Sequence, residues 1–242
     1  MTIVLVHGNP ETDALWGPLV DALGRDDVLR LSPPGFGAPL PEGFSATYLA
    51  YRDWLEDQLE GIDGPVDLVG HDFGGIHAIN AVMHRPALVR SWVSDVLGVF
   101  DPNYEWHDLA QVWQTPGEGE QLIESFLGGT PEERATVYAT AGMPMDVGTA
   151  IARGQGPEMG RAILRLYRSA GDGASGTRLG EGSAPAWSLT PGHRRHLRRI
   201  RRNSSSRRRS CRCAHRGPRR IGALVDGGGP RPWRRGSHPI LG

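Results

Sequence analysis

The five residues Gly70-His71-Asp72-Phe73-Gly74 place a carboxylate between two glycines where a predicted strand meets a predicted helix. Such a Gly-x-nucleophile-x-Gly elbow presents its central side chain at the helix N-terminus, where the helix dipole favours an anion. The central residue is aspartate rather than serine. A carboxylate attacks carbon without a base to activate it, and a histidine-activated water then hydrolyses the resulting ester. The other interpretation is a glycine-rich turn in which Asp72 only caps the helix.

A second motif, His7-Gly8-Asn9-Pro10, follows the first predicted strand. In an α/β architecture this loop faces the elbow. A backbone N–H of the loop and the N–H of Phe73 would then form an oxyanion hole, and the Asn9 side chain could donate to a leaving halide or alkoxide. We interpret His7 as a structural residue that holds the loop.

The apolar patterns around these motifs predict strands and helices in alternation. Strands are expected over residues 3–6, 27–31, 66–69 and 89–94, and helices over 13–24, 46–60 and from the elbow to just before Pro86. Thr12 can cap the first helix, in which Leu15, Trp16, Leu19, Val20 and Leu23 recur at helical spacing. Short strand–helix alternation is typical of a mostly parallel sheet with helices on both faces, and therefore of an α/β fold.

Three segments follow from these patterns. Residues 1–100 are expected to form the α/β core, and residues 101–168, which are helical, aromatic and interrupted by Gly and Pro, to form a lid over a pocket. Residues 169–242 lose the periodicity and are expected to be irregular or disordered. Charge changes there too: residues 1–170 hold 24 Asp and Glu against 10 Arg, whereas residues 171–242 hold 3 against 17, and the chain has no lysine.

The elbow, the His-Gly-Asn-Pro loop and the lid resemble the haloalkane dehalogenase and epoxide hydrolase branch of the α/β-hydrolase family over roughly residues 2–170. The resemblance implies an aspartate nucleophile at Asp72, halide binding by Asn9, and cofactor-independent hydrolysis of a small apolar halide, epoxide or ester. Those dehalogenases usually have tryptophan directly after the nucleophile as a halide donor, and here that residue is Phe73. Lid Trp106 or Trp113 would have to replace it.

Epoxide opening instead requires acidic lid tyrosines, for which Tyr104, Tyr138 and Tyr167 are candidates. The acid of the catalytic triad is expected at Asp95, at the end of the strand over 89–94, or at Asp101 just beyond it. His71 and His77 flank the elbow and are interpreted as structural.

The family's late catalytic histidine has no counterpart in a matching context. His193, His196 and His215 lie among arginines, and His238 lies near the C-terminus. We therefore predict a reading-frame change near residue 170. Reading the codons of residues 222–230 one base later permits Gly-His-Trp-Trp-Met-Val-Glu-Asp-Pro, which is the expected histidine segment. Such a chain would lack its general base and have impaired turnover, and its exposed sheet edge would favour aggregation.

A competing class is a non-catalytic protein whose Arg-rich tail binds nucleic acid. The tail lacks lysine, and its Arg-rich stretch over residues 194–220 has no interleaved aromatic residues, so we disfavour this function. The two cysteines, Cys211 and Cys213, are too few for a structural zinc site and are interpreted as incidental. No segment has the length of a membrane span, so we expect a cytoplasmic protein with a small-molecule substrate, no cofactor and no metal. The oligomeric state stays open.

Overall fold

The computed structural model describes residues 1–101 and 104–171, except for the side chains of residues 97 and 171. The predictions for the tail, including its irregular structure and the missing histidine segment, lie outside these residues. The four strands are β1 (Thr2–Val6), β2 (Val28–Leu31), β3 (Val66–Gly70) and β4 (Ser91–Ser94). They form one parallel sheet in the order β2-β1-β3-β4, which confirms the predicted α/β fold.

Three helices connect the strands: α1 (Gly17–Leu23), α2 (Tyr48–Glu60) and α3 (Phe73–His84). Helices α2 and α3 pack on the sheet through a core that includes Leu55, Leu59, Leu68 and Ala78, all of them buried. The capping residue Thr47 accepts a hydrogen bond from the backbone N–H of Ala50, which explains why α2 begins at Tyr48 rather than at residue 46.

The first helix corrects one prediction. Residues 13–16 form a 3₁₀ turn before α1, and Trp16 is the buried residue there, whereas α1 itself buries no side chain. Leu19 and Leu23 are each 39% exposed. Their helical spacing indicated a helix correctly, but spacing alone does not show whether any element packs against that face.

Five helices follow β4: α4 (Asp108–Gln114), α5 (Glu118–Leu127), α6 (Pro131–Thr140), α7 (Met145–Arg153) and α8 (Pro157–Gly171). Helix α8 carries the buried residues Ile163, Leu166 and Tyr167, which pack in one cluster with Phe73 at the elbow. The helical content expected over residues 101–168 is therefore present, and α8 extends it to residue 171.

Candidate active site

The elbow lies between β3 and α3, and Asp72 adopts a strained backbone conformation with φ 49° and ψ −128°. A non-glycine residue in this region costs about 1–3 kcal/mol, and such strain concentrates at functional sites. Close packing leaves no room for larger residues around it. A Cβ on Gly74 would lie 2.2 Å from the carbonyl oxygen of Val6 on β1. The flanking glycine predicted from the motif is thus required by helix–strand contact.

The Asp72 carboxylate lies at the end of β1 as well as β3. Its Oδ2 accepts a hydrogen bond of 3.0 Å from the backbone N–H of Asn9, and the backbone N–H of Phe73 also donates to it. The two N–H groups predicted to form an oxyanion hole are therefore both directed at Asp72. Burial raises the pKa of Asp72 to about 6, and these two hydrogen bonds oppose that rise.

A cavity of about 160 Å³ opens over Asp72. This volume is close to the ~150 Å³ engineered cavity that holds benzene, so it suits a small substrate. Predicted site residues and several that the sequence did not single out line it together: Asn9, Pro10, Glu11, His71, Asp72, Asp95, Val96, His107, Leu109, Trp113, Phe126 and Tyr167. The structure therefore brings together Asp72, Asp95, Asn9, Trp113 and Tyr167 from the predicted set.

The other two predicted residues, Phe73 and Trp106, pack in the aromatic cluster beside the cavity. Their rings stack with centroids 6.0 Å apart and planes at 9°, and Tyr167 meets Phe73 edge-on at 4.9 Å. The indole N–H groups of Trp106 and Trp113 are buried without a hydrogen-bond acceptor, whereas the side-chain amide of Asn9 faces the hydroxyl of Tyr167. Buried donors without partners are uncommon in proteins and mark places where a ligand atom could be bound.

The three candidate tyrosines have different surroundings. The prediction of Tyr138 as an epoxide donor is corrected, because its hydroxyl donates to the carbonyl oxygen of Pro10 at 3.1 Å and the residue does not line the cavity. Tyr167 lines the cavity, and its burial, followed by the charge of Asp72, raises its pKa well above the usual value. The same two effects raise the pKa of Tyr104. Tyr167 and Tyr104 therefore keep their protons at neutral pH and can donate hydrogen bonds.

The two candidate acids differ in position. Asp95 lines the cavity, its Oδ1 accepts the backbone N–H of Asp72 at 3.1 Å, and its Oδ2 lies 2.5 Å from Nδ1 of His71. Asp101 follows a 3₁₀ turn over residues 97–100 and is not one of the lining residues. Asp95 thus occupies the site, and within the described residues its imidazole partner is His71.

The sequence did not point to a catalytic role for two charged residues of this site: Glu11 belongs to no recognised motif, and His71 is interpreted from the sequence as structural. Glu11 is 1% exposed and its Oε1 lies 3.4 Å from Nε2 of His71. Glu11, and to a lesser degree Asp95, raise the pKa of His71 to about 9 against the opposing effect of burial. No local pattern could have identified the pair, because Glu11 and His71 lie 60 residues apart and meet only in the folded protein.

The described histidines near the elbow are unsuited to act as the general base. His71 is protonated at neutral pH, because its pKa is raised. His7 and His77 are buried, and burial lowers the pKa of both, that of His77 to about 3. His107 lines the cavity, but its Nδ1 accepts the backbone N–H of Ala110. The neutral His107 ring therefore carries its proton on Nε2, which makes it a donor.

Within the described residues, no group of three or more His, Cys, Asp or Glu side chains could hold a metal ion. The helices in that part of the chain are too short or too polar to cross a membrane.

The fold and the elbow define a protein class that comparison with known proteins also identifies. The model of the alpha/beta hydrolase family matches residues 3–241, and the chain belongs to this family. The chain is 28% identical over 90 residues to (E)-2-((N-methylformamido)methylene)succinate hydrolase of Acinetobacter baylyi, a match that covers 36% of this chain and 34% of that enzyme.

Solved structures of low sequence identity share the fold. A protein from Pseudomonas aeruginosa described as a candidate epoxide hydrolase superposes with a TM-score of 0.54 at 22% identity, covering 72% of this chain and 64% of that one. A loop variant of the haloalkane dehalogenase DbeA from Bradyrhizobium elkanii gives a TM-score of 0.50 at 20% identity, covering 69% and 61%. The chain thus spans less than two thirds of the length of these relatives.

Proposed function

We propose that this protein is a cofactor-independent hydrolase in which Asp72 attacks a small, largely apolar substrate and forms an alkyl-ester intermediate. The observation that carries the proposal is the Asp72 carboxylate itself. It is held on a strained elbow by two backbone N–H groups and lies at a cavity of about 160 Å³. Stabilising a helix does not require this strain, so a mere capping role is disfavoured.

In the first step a carboxylate oxygen of Asp72 bonds to a saturated carbon while the bond to the leaving group breaks and its electron pair departs with that group. The leaving group is a halide ion or the oxygen of an opened epoxide. An ester is a weaker candidate, because attack of a carboxylate on its carbonyl gives a reactive anhydride. Trp113 lines the cavity with an indole N–H that has no acceptor, and the side-chain amide of Asn9 lies in the same cavity, so both suit a departing anion.

An epoxide requires a donor that protonates or hydrogen-bonds its oxygen. Tyr167 lines the cavity with Asp72, and its phenol can donate a hydrogen bond to that oxygen, but its raised pKa makes it a weaker acid than an ordinary tyrosine. Burial, followed by the charge of Asp72, also raises the pKa of Tyr104. These contacts support an epoxide as the second substrate class, with Tyr167 as the principal donor and the helices over residues 104–171 serving as the lid.

The second step, hydrolysis of the alkyl ester, is the one in which this chain is expected to be impaired. Hydrolysis of the ester needs a base, and His7, His71, His77 and His107 do not offer one. We propose that the natural enzyme carries its catalytic histidine, oriented by Asp95, in a segment that a reading-frame change near residue 170 has replaced. Resequencing codons 165–175 tests this. An extra or missing base that restores Gly-His-Trp-Trp supports it, and an unchanged gene contradicts it.

The test of the proposed first step is a single-turnover experiment with 1-bromobutane and with 1,2-epoxybutane. We expect the purified chain to release close to one bromide per folded molecule and then stop, because the ester is not hydrolysed. Asp72→Asn should release none. Equal bromide release by Asp72→Asn would contradict the proposed first step, and continuous turnover would contradict the proposed loss of the base. An alternative nucleic-acid-binding function would instead show as salt-dependent retention on immobilised DNA.

A further inference from the structure

Three charged side chains form a bridge around the elbow, which we call the Glu11–His71–Asp95 bridge. Nε2 of His71 lies 3.4 Å from Oε1 of Glu11, and Nδ1 lies 2.5 Å from Oδ2 of Asp95. Both ring nitrogens therefore face carboxylates. A neutral imidazole would present a lone pair to one of them, so this geometry calls for the doubly protonated cation.

The burial of Glu11 gives the bridge its importance. Its side chain is 1% exposed, and its Oε2 accepts the backbone N–H of Gly8 at 3.3 Å. A buried carboxylate is costly without a positive partner, and the His71 cation is the partner that faces it. Glu11 follows β1, His71 follows β3 and Asp95 follows β4. The bridge thus joins the ends of three adjacent strands.

The bridge also reaches the nucleophile. Asp95 accepts the backbone N–H of Asp72 with its second oxygen, Oδ1, at 3.1 Å. Glu11 accepts the backbone N–H of Gly8, and the next residue, Asn9, donates its backbone N–H to the Asp72 carboxylate. The bridge therefore holds the backbone N–H of Asp72 directly and its carboxylate through the loop at Gly8 and Asn9. The groups that face Asp72 from the surrounding elements are Glu11, His71, Asp95, His107, Tyr104 and Tyr167.

We propose that the Glu11–His71–Asp95 bridge is a positioning unit, which clamps the strained elbow between the loops after β1 and β4 and fixes the charges of Glu11 and His71 beside Asp72. The inference rests on the proposed role of Asp72 as nucleophile. The negative charge of Glu11 raises the pKa of Asp72, and the positive charge of His71 lowers it. The two residues thus act on the nucleophile in opposite directions.

Because Glu11 and His71 act on the pKa of Asp72 in opposite directions, variants of the two residues can distinguish the bridge from a merely structural cluster. Glu11→Gln removes a negative charge and should lower the pKa of Asp72, so that the carboxylate reacts at lower pH. His71→Gln removes the cation and should raise it. We expect each change to be roughly half a pH unit or more. A purely structural role would change stability, with no reason for the two pKa shifts to have opposite signs.

The experiment is a ¹³C NMR titration of the full-length chain labelled at aspartate carboxyl carbons, with the Asp72 signal assigned by its loss in Asp72→Asn. Glu42→Gln, which removes an exposed glutamate that does not line the cavity, is the matched control and should leave the titration unchanged. The expected result is a lower midpoint in Glu11→Gln and a higher one in His71→Gln. Midpoints that move the same way, or not at all, would overturn the proposal.

His71→Gln leaves Glu11 buried without its partner and could prevent folding. The double variant Glu11→Gln with His71→Gln then replaces it, because the two amides are neutral. Its Asp72 midpoint should lie above that of Glu11→Gln alone, and equal midpoints would overturn the proposal. The titration needs no substrate. Asp72 that titrates as expected but is never alkylated would therefore refute the proposed function, whereas alkylated Asp72 with unmoved midpoints would refute the bridge.

Discussion

At the scale of single residues, the site depends on the burial of an ionisable side chain. Asp72 has a pKa near 6 because burial disfavours its charged form, and the backbone N–H groups of Asn9 and Phe73 partly offset this effect by stabilising the carboxylate. A nucleophile of this kind is reactive as the carboxylate. Labelling of Asp72 should therefore fall as the pH is lowered through about 6, and a rate that is flat from pH 5 to pH 8 would contradict this assignment.

Replacement of Asp72, the proposed nucleophile, should stabilise the protein. The folded-state pKa of Asp72 is raised from 3.8 to about 6, so its ionisation opposes folding, and stability falls as the pH rises from 3.8 to 6. The full penalty, about 3 kcal/mol, is present above pH 6. Asp72→Asn should thus raise the free energy of unfolding by up to that amount at pH 8 and by much less at pH 4, as measured by urea denaturation.

The exposed Asp53→Asn variant is the control for this measurement, because Asp53 is 59% exposed in its salt bridge with Arg52. It should change stability by less than about 1 kcal/mol at either pH. A loss of stability in Asp72→Asn at pH 8 would mean that the hydrogen bonds of the carboxylate outweigh its burial.

At the scale of elements, the elbow and the loop after β1 are packed against each other with no spare volume. A Cβ on Gly8 would lie 2.3 Å from Oδ2 of Asp72. We expect Gly8→Ala to displace the carboxylate or the loop and to reduce labelling of Asp72 at least about tenfold, because misplacement by an ångström is costly in a preorganised site. Gly17→Ala has open space around its Cβ and should leave labelling unchanged.

The helical region is tied to the same loop. Tyr138 on α6 and Gln155 after α7 both donate to the carbonyl oxygen of Pro10, at 3.1 Å and 2.7 Å. Gln155→Ala removes one of these bonds and leaves buried polar groups unsatisfied. It should lower the free energy of unfolding by about 1–3 kcal/mol. An unchanged melting curve would show that the helical region is not held to the loop by this contact.

The strands and the elbow could be predicted because their signals are local: short runs rich in β-branched and aliphatic residues for the strands, and the glycines on either side of Asp72 for the elbow. The Glu11–His71–Asp95 bridge could not, because its members lie 60 and 24 residues apart and meet only when three strands are aligned. Tyr138 was misjudged for the same reason, since its partner Pro10 lies 128 residues away. Spacing likewise placed Leu19 and Leu23 on one face of α1 without showing that this face stays exposed.

At the scale of the whole molecule, the described residues leave two sheet edges, β2 and β4, that pair with no further described strand. Leu29 on β2 is 39% exposed and Val93 on β4 is 60% exposed. Apolar side chains on open edges favour association between chains. Val93→Lys should therefore reduce aggregation, followed by light scattering, without changing Asp72 labelling. Equal aggregation of both proteins would indicate that another surface is responsible.

The central claim is that Asp72 is the nucleophile, and the most direct measurement locates the substrate carbon on the protein. The chain is incubated with 1-bromobutane, digested, and mapped by tandem mass spectrometry, with Asp72→Asn treated in parallel. A butyl ester on Asp72 in the original chain, and on no residue of the variant, is the predicted result. A butyl group on another residue, or none on Asp72 while bromide is released, would contradict it.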